Sequence, residues 1–423
     1  MLDINYIREN TEIVKKAVLD KGIDLDVKKL LQVDEKRREL LVKIEELRRQ
    51  RNEAAENRNI EAGKQVKQQL DNLEPELKTT ENELAQMLLY VPNIPTKDAP
   101  IGLTSDSNEV IFKWGEIKKP KFKIRDHVEL GKLLDIIDLE VGSKVAGFRG
   151  YYLKNTGAIL HWAVLNWARD YIISKGFTLM VPPTLVGEKV LIGSGHFPTG
   201  RDNIYQIGNP GKLESGEDIK HQIYLSGTSE PSLLAYYLDS IIPEEDLPIK
   251  LTAMTHCYRS EVGDYGKDTK GLYRVHEFDK VEQVVICKND PQESAKWFGE
   301  MQAITEHLLQ ELTIPYRVVN TSTGDMGAGK IRMHDIEVWM MGRGKYGEIC
   351  SNSNLGDWQM RRTNTKVKTK AGNYFPYALN STVMPSPRIL IPILENNQTV
   401  DGTVIIPKVL QKYTGFSEIK PKL

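Results

Sequence analysis

The densest group of chemically useful side chains lies between residues 257 and 283, CYRSEVGDYGKDTKGLYRVHEFDKVEQ. Arg259 and Glu261 precede a glycine-rich polar loop, GDYGKDTKG. Arg274, His276, Phe278, Lys280 and Glu282 follow it at every second position. Successive side chains on a strand point to opposite faces, so this spacing puts the five on one face. A guanidinium offers phosphate oxygens a planar fork of donors that an ammonium cannot reproduce. An aromatic face takes a flat base, and a carboxylate takes an amine or a hydroxyl. Taken alone, alternating charges on a strand more often mean a solvated sheet face, and that alternative stays open here. The chain contains no GxGxxG and no GxxxxGK[ST], so a bound nucleotide would be held by neither a Rossmann crevice nor a P-loop.

The elements that must position these groups follow from local pattern. FTLMVPPTL, QIYLSG, IKLTAMTHCYRSE, HEFDKVEQVVIC and GEICSNSN read as strands, whereas VLNWARDYIISKG, LDSII and AKWFGEMQAITEHLLQEL read as helices. Strands meeting at glycine and aspartate loops predict an antiparallel sheet flanked by helices, an α+β fold. The first hundred residues differ. Leu40, Ile44, Leu47 and Ala54, then Val66, Leu70, Leu73, Leu77, Leu84 and Met87, keep one apolar seam along a helix. That seam predicts an antiparallel helical coiled-coil hairpin with arms on the order of 30 Å. NRNIEAG is its expected turn, and Pro75 is expected to kink the second arm or open its ladder. Pro92 and Pro95 mark a hinge, so two domains are expected, residues 1–100 and 101–423.

The formal net charge of −1 argues against a uniformly basic coat. A local excess of cations nevertheless gathers on the hairpin at Lys36, Arg37, Lys43, Arg48, Arg49 and Arg51. It reads either as a solvated coiled-coil surface or as an edge that tracks RNA phosphates. Cys257, Cys287 and Cys350 form no CxxC pair, and the histidines show no metal-ligand spacing, so no zinc is expected. Unpaired cysteines, a polar N-terminal stretch and the lack of a run of ~18 apolar residues point to the cytoplasm and away from a membrane.

Several stretches together carry a family resemblance. Arg259-x-Glu261, a loop, then Arg274-x-x-x-Phe278-x-x-x-Glu282 resembles motif 2 of class II aminoacyl-tRNA synthetases, and the RxHxFxKxE wording resembles bacterial-type seryl-tRNA synthetases. NSTVMPSPRILIPILENNQTVDGTVIIPKVL is similar to motif 3, a strand entering a helix that carries Arg388 and Glu395. GFTLMVPPTL resembles motif 1, with Pro182 or Pro183 at a dimer interface. GEICSNSNLGDWQMRR resembles the strand that contacts ATP and metal, and GTSE resembles the T-x-E element that binds serine. The hairpin and its MLDINYIRENTEIVKKA opening are similar to the family's N-terminal domain. The resemblance spans both expected domains in order.

It implies an enzyme that activates L-serine with ATP and transfers serine to the 3′ end of tRNA(Ser), with tRNA(Sec) as a second candidate acceptor. By position, Arg259 would grip the α-phosphate and Phe278 would stack the adenine. Arg388 would lie on the base's other face or on the terminal phosphates. Ser260, Glu261, Arg274, Ile349 and Cys350 would complete the nucleotide shell, and Glu348 and Ser351 would hold Mg²⁺ and ATP oxygens. Thr228, Ser229 and Glu230 would receive the serine ammonium, Glu282 its hydroxyl, and Thr382 would also touch serine. A homodimer is implied, with the basic hairpin against the long variable arm of the tRNA. The sequence departs from the family pattern at Ser229, Cys350, Asn352, Ser381 and Pro385-Ser386-Pro387, and Cys350 reads as a small packed residue. If alanine entered, a buried Glu282 would lose its partner, a mismatch able to discriminate ~10⁴–10⁵-fold. Two rivals remain: a related ligase that loads a carrier protein, which would lack the hairpin, and a non-enzymatic RNA-binding paralogue, which would have lost some of these arginines and glutamates.

Overall fold

The structure, a computed structural model, describes residues 1–209, 211–217, 221–262 and 270–421. Chain contacts divide it into two compact units, Met1–Ile94 and Pro95–Leu423, with the division inside the proline-bearing segment.

In the first unit two short helices, Ile4–Glu9 and Thr11–Asp20, precede two long ones, Val27–Glu56 and Ile60–Leu88. The long pair is the expected hairpin. Thirty residues at ~1.5 Å each make the first arm about 45 Å long, more than the sequence suggested. The turn is shorter than NRNIEAG, because Asn59 caps the second helix through its side chain and pulls Ile60–Gly63 into the first turn. That second helix also runs on through Pro75 without a break. Two apolar clusters hold the unit. Ile44, Val66 and Leu70 pack along the hairpin, whereas Leu2, Ile7, Val14, Val18, Leu30 and Leu84 tie the short helices to the open ends of the long ones.

The second unit is built on an eight-stranded sheet. In chain order its strands are β1 (Glu109–Trp114), β2 (Thr178–Met180), β3 (Ile249–Tyr258), β4 (Glu277–Cys287), β5 (Tyr316–Asn320), β6 (Arg332–Met340), β7 (Lys345–Asn354) and β8 (Tyr377–Ser386). Their spatial order is β1-β5-β6-β7-β8-β4-β3-β2. Every neighbouring pair is antiparallel except β2 with β3 at one edge, which is parallel. Helices Asn155–Ser174 and Pro291–Glu311 cover one face with a large apolar core that includes Leu160, Val164, Met301 and Leu308. The helical expectation for LDSII fails: after a turn, Ile241–Pro243 forms a short strand paired in parallel with Lys366–Thr369. The branched isoleucines favour extended backbone there, and a parallel partner far along the chain was not visible locally.

Candidate active site

The alternation along β4 sorts its side chains into two layers. Asp279 and Gln283 face the covering helices, where Asp279 bonds His161 at 3.0 Å and Gln283 donates to the Met301 carbonyl at 2.9 Å. Phe278, Lys280 and Glu282 face the other way and line two adjoining cavities, joined there by Arg274 from the segment before the strand. His276 lines neither. Its Nδ1 lies 2.9 Å from the Arg259 carbonyl, a structural bond across the mouth of the motif.

The first cavity is narrow, about 80 Å³, and is lined by Arg259, Tyr273, Phe278, Glu348, Ser351 and Arg388 among others. Arg259 follows directly on β3. Its guanidinium carbon stands 5.2 Å from the centre of the Phe278 ring, and its Nε donates to the Gly227 carbonyl at 3.3 Å. Glu261 holds a left-handed backbone at φ +52° and ion-pairs with Arg274 at 2.6 Å. Arg388 lies in the turn between β8 and the helix Leu390–Asn396, not in the helix itself. It stacks 4.6 Å from the Tyr273 ring and donates to the Tyr273 and Glu348 carbonyls at 2.8 and 3.2 Å. Residues 263–269 of the glycine-rich loop lie outside the described residues.

A register shift in the β6–β7 ladder leaves Ile349 unpaired, between Glu348 opposite Glu337 and Cys350 opposite Ile336. Such an extra residue re-aims its neighbours. Here Glu348 and Ser351 line the cavity, Ile349 lines it from within the buried core, and Cys350 is buried in that core with its Sγ 4.0 Å from the Val383 carbonyl. Burial, then the Glu348 carboxylate, pushes the Cys350 thiol well up. Ser351 Oγ donates to Glu348 Oε1 at 3.2 Å.

The second cavity, about 520 Å³, shares Arg259, Glu261, Lys280, Glu348, Ser351, Thr382 and Arg388 with the first and adds Thr228, Glu230, Glu282, Lys330 and Asn380. Its floor is a buried polar network. Lys280 Nζ meets Glu282 Oε2 at 2.5 Å and donates to Thr228 Oγ1 at 2.7 Å, while Thr382 Oγ1 donates to Glu282 at 3.3 Å. Glu230 Oε1 accepts from the Gln359 and Asn380 amides at 2.6 and 2.8 Å, and Oε2 accepts no hydrogen bond among the described residues. Burial raises both the Glu230 and Glu282 carboxyls above their ordinary range, although Lys280 pulls Glu282 back. Burial, then the charges of Arg259 and Lys330, lowers the His196 imidazole to about 4 and keeps that wall neutral.

Most of the expected residues therefore converge. Ser260 and Ser229 do not reach either cavity: Ser260 Oγ donates to the Asp202 carbonyl at 2.6 Å, and Ser229 Oγ is buried without a partner. Lys280 and the amides of Gln359 and Asn380 escaped the sequence reading as site residues. Position along β4 pointed at Lys280, but no local signal marks Gln359. On the hairpin, Lys36 pairs with Glu76, Arg48 with Glu74, and Arg49 with Glu46 and Glu53, while Arg37 leans on buried Asp34. Among the described residues Lys43 and Arg51 form no ion pair.

Comparison with known proteins agrees with this geometry. Residues 1–95 match the seryl-tRNA synthetase N-terminal domain, and residues 212–397 match the tRNA synthetase class II core domain (G, H, P, S and T). The chain is 40% identical to a serine–tRNA ligase of Deinococcus radiodurans and 41% identical to one of Borreliella afzelii, in each case across 99% of both chains. Among solved structures it resembles seryl-tRNA synthetase of Pyrococcus horikoshii complexed with ATP, at TM-score 0.91, 37% identity and 100% coverage of both chains. It also resembles the cytoplasmic serine–tRNA ligase of Naegleria fowleri in complex with AMP, at TM-score 0.90, 31% identity and 100% and 99% coverage.

Proposed function

The chain belongs to the seryl-tRNA synthetase family and is a serine–tRNA ligase that uses ATP, and on that premise we propose how its residues divide the work. The observation that carries the assignment is that one continuous lining, through Arg259, Glu348, Ser351, Thr382 and Arg388, joins a slot walled by aromatic rings to a buried polar pocket. A nucleotide and an amino acid placed in these two halves meet at Arg259.

Phe278 and Tyr273 wall the base site, and Arg388, held by two carbonyls and a ring, closes it with a fixed charge. Arg259 takes the α-phosphate, where a planar fork can follow the oxygens as the in-line attack of the serine carboxylate proceeds. Glu261 and Arg274 brace each other beside it. No enzyme nucleophile is required; placement and charge stabilisation carry the step. The ammonium of serine fits the free oxygen of Glu230 and Thr228, and its hydroxyl fits Glu282 and Thr382. Ile349 and Cys350 contribute backbone only, Ser260 acts by holding a loop through the Asp202 carbonyl, and Ser229 packs behind the pocket.

ATP chemistry implies Mg²⁺, and the donor set suits it. Glu348 and Ser351 present hard oxygens 3.2 Å apart beside the phosphate end of the slot. When bound, the ion neutralises phosphate charge; Glu348 and Ser351 would hold it.

We assign tRNA binding to the N-terminal unit through Lys43 and Arg51, with tRNA(Ser) as acceptor and tRNA(Sec) as a second acceptor to be assayed. A homodimer is proposed from exposed apolar side chains in and beside the motif 1 region, where Val181 is 93% exposed and Leu179, Leu185, Ile159 and Trp162 are also open. We place the protein in the cytoplasm; no helix among the described residues is long and apolar enough to cross a membrane. Pyrophosphate exchange across a panel of amino acids, followed by tRNA charging, tests the whole reading. Exchange without serine dependence, or serine activation without tRNA charging, would refute it.

A further inference from the structure

The first unit contains a cationic cluster that the adenylate chemistry does not use. Asp34, fully buried in the first long helix, is approached by three guanidiniums: Arg8 at 3.2 Å from the first short helix, Arg38 at 3.3 Å and Arg37 at 3.7 Å. One arginine would neutralise the carboxylate. Three leave a surplus of two positive charges held within a few ångströms, an arrangement that mutual repulsion opposes unless an anion arrives. The contacts are also loose. Neither Asp34 oxygen, nor the buried Nε of Arg8 or Arg37, meets hydrogen-bond geometry, so charge holds these pairs, and Arg8 spends one Nη on Asn5 Oδ1 at 2.5 Å. Beside them lies a cleft of about 280 Å³ whose lining includes Arg8, Lys15, Lys28 and Arg38, with Glu35 as its carboxylate. Lys15 pairs with Glu12 at 2.8 Å, while Lys28 is exposed and forms no ion pair among the described residues. Oriented guanidiniums and an exposed ammonium lining a cleft are what a phosphodiester chain requires.

We propose that this cleft, formed by the two short helices and the start of the first long helix, is a second phosphate-binding station for the tRNA backbone, separate from Lys43 and Arg51. Asp34 is the anchor that orients the arginines and does not itself touch RNA. Contacts of this kind fix the position of a folded RNA and carry no base information.

The proposal rests on the reading of the N-terminal unit as the tRNA-binding part, and the test separates the two. In the full-length enzyme, Lys28→Gln and the double variant Arg8→Gln/Lys28→Gln are compared with Lys43→Gln/Arg51→Gln. Arg37 and Arg38 remain on Asp34 throughout, and far-UV circular dichroism checks the helices. The expected result is a raised KM for tRNA in charging. The dependence of log affinity on log salt should flatten by about 0.7–0.9 per contact removed. Serine-dependent pyrophosphate exchange should be unchanged. Unaltered tRNA KM and salt slope in both Lys28 variants, with losses in the Lys43/Arg51 variant, would overturn the second station alone. No loss in any of them would overturn the hairpin reading as well. Titration with inorganic phosphate, followed by NMR, forms the remaining arm. Saturable phosphate binding at Arg8 and Lys28 without any effect of the variants on tRNA KM would make this a small-anion site and sink the proposal.

Discussion

Glu230→Gln tests the serine pocket from two directions. The carboxyl is 8% exposed, and two amides donate to the same oxygen, leaving Oε2 for the incoming ammonium. Glutamine keeps the size and can keep that accepting oxygen, but it puts an NH₂ where the ammonium must dock. A hydrogen bond to a charged group is worth about 1.5–3 kcal/mol, so serine KM should rise roughly ten- to 150-fold in pyrophosphate exchange. ATP KM should stay within about twofold, because Glu230 does not line the nucleotide slot. Stability should move the other way. Burial raises the carboxyl, so the folded chain keeps a proton that the unfolded chain releases. That contribution is full below the unfolded value and is lost as pH rises from there through the folded one, so folding near neutral pH carries the cost of burying the acid. The amide removes that burden, and Tm should exceed wild type at pH 8 with the gap narrowing toward pH 5. An unchanged serine KM would exclude Glu230 from the pocket, and a Tm that falls at pH 8 would refute the electrostatic part of the argument.

Glu282→Gln, which unlike alanine leaves Lys280 an acceptor, should lower serine-dependent exchange about tenfold or more without moving ATP KM; an unaltered rate removes Glu282 from the site. Arg388→Lys should raise ATP KM roughly ten- to 100-fold, since one ammonium cannot stack on Tyr273 and also serve two carbonyls; an equal KM would show the fork to be dispensable. Replacing residues 40–79 by a short Gly/Ser linker removes the Ile44–Leu70 cluster but spares Leu84, and should leave exchange intact while tRNA charging collapses. The ratio of kcat/KM for serine over alanine should be about 10–100 and not the ~10⁴–10⁵ suggested by an orphaned carboxylate; a ratio near the larger figure would mean that Lys280 leaves Glu282 on substrate binding.

Period-two spacing from Arg274 to Glu282 made one face of β4 legible, because strand geometry turns spacing directly into direction. The hairpin seam was legible for the same reason at helical period. What escaped depended on partners far along the chain. Gln359 and Asn380 meet on Glu230 across more than a hundred residues, and LDSII became a strand through a parallel neighbour near Lys366. The bulge at Ile349 that brings both Glu348 and Ser351 to the cavity depends on ladder register, which single-strand pattern does not encode. The hairpin charges show the opposite failure. Composition marked six cations, yet Lys36, Arg48 and Arg49 are already paired within the hairpin, so the count overstated the charge that is free for RNA.

With Glu282 assigned to serine as proposed, the Lys280 bridge also changes the physical account of selectivity. A carboxylate buried to 2% exposure cannot wait unpaired for a substrate hydroxyl, since an isolated buried charge costs more than folding can supply. Lys280 solves this by bridging Glu282 and Thr228, and Thr382 adds a weaker bond. The same bridge means that a substrate lacking the hydroxyl leaves Glu282 satisfied. Preference for serine over alanine then comes from the difference between two bonded states, not from the cost of an orphaned one. Stability and specificity draw on the same lysine here: the bridge that lets the chain fold around Glu282 is the one that limits how severely the pocket rejects alanine.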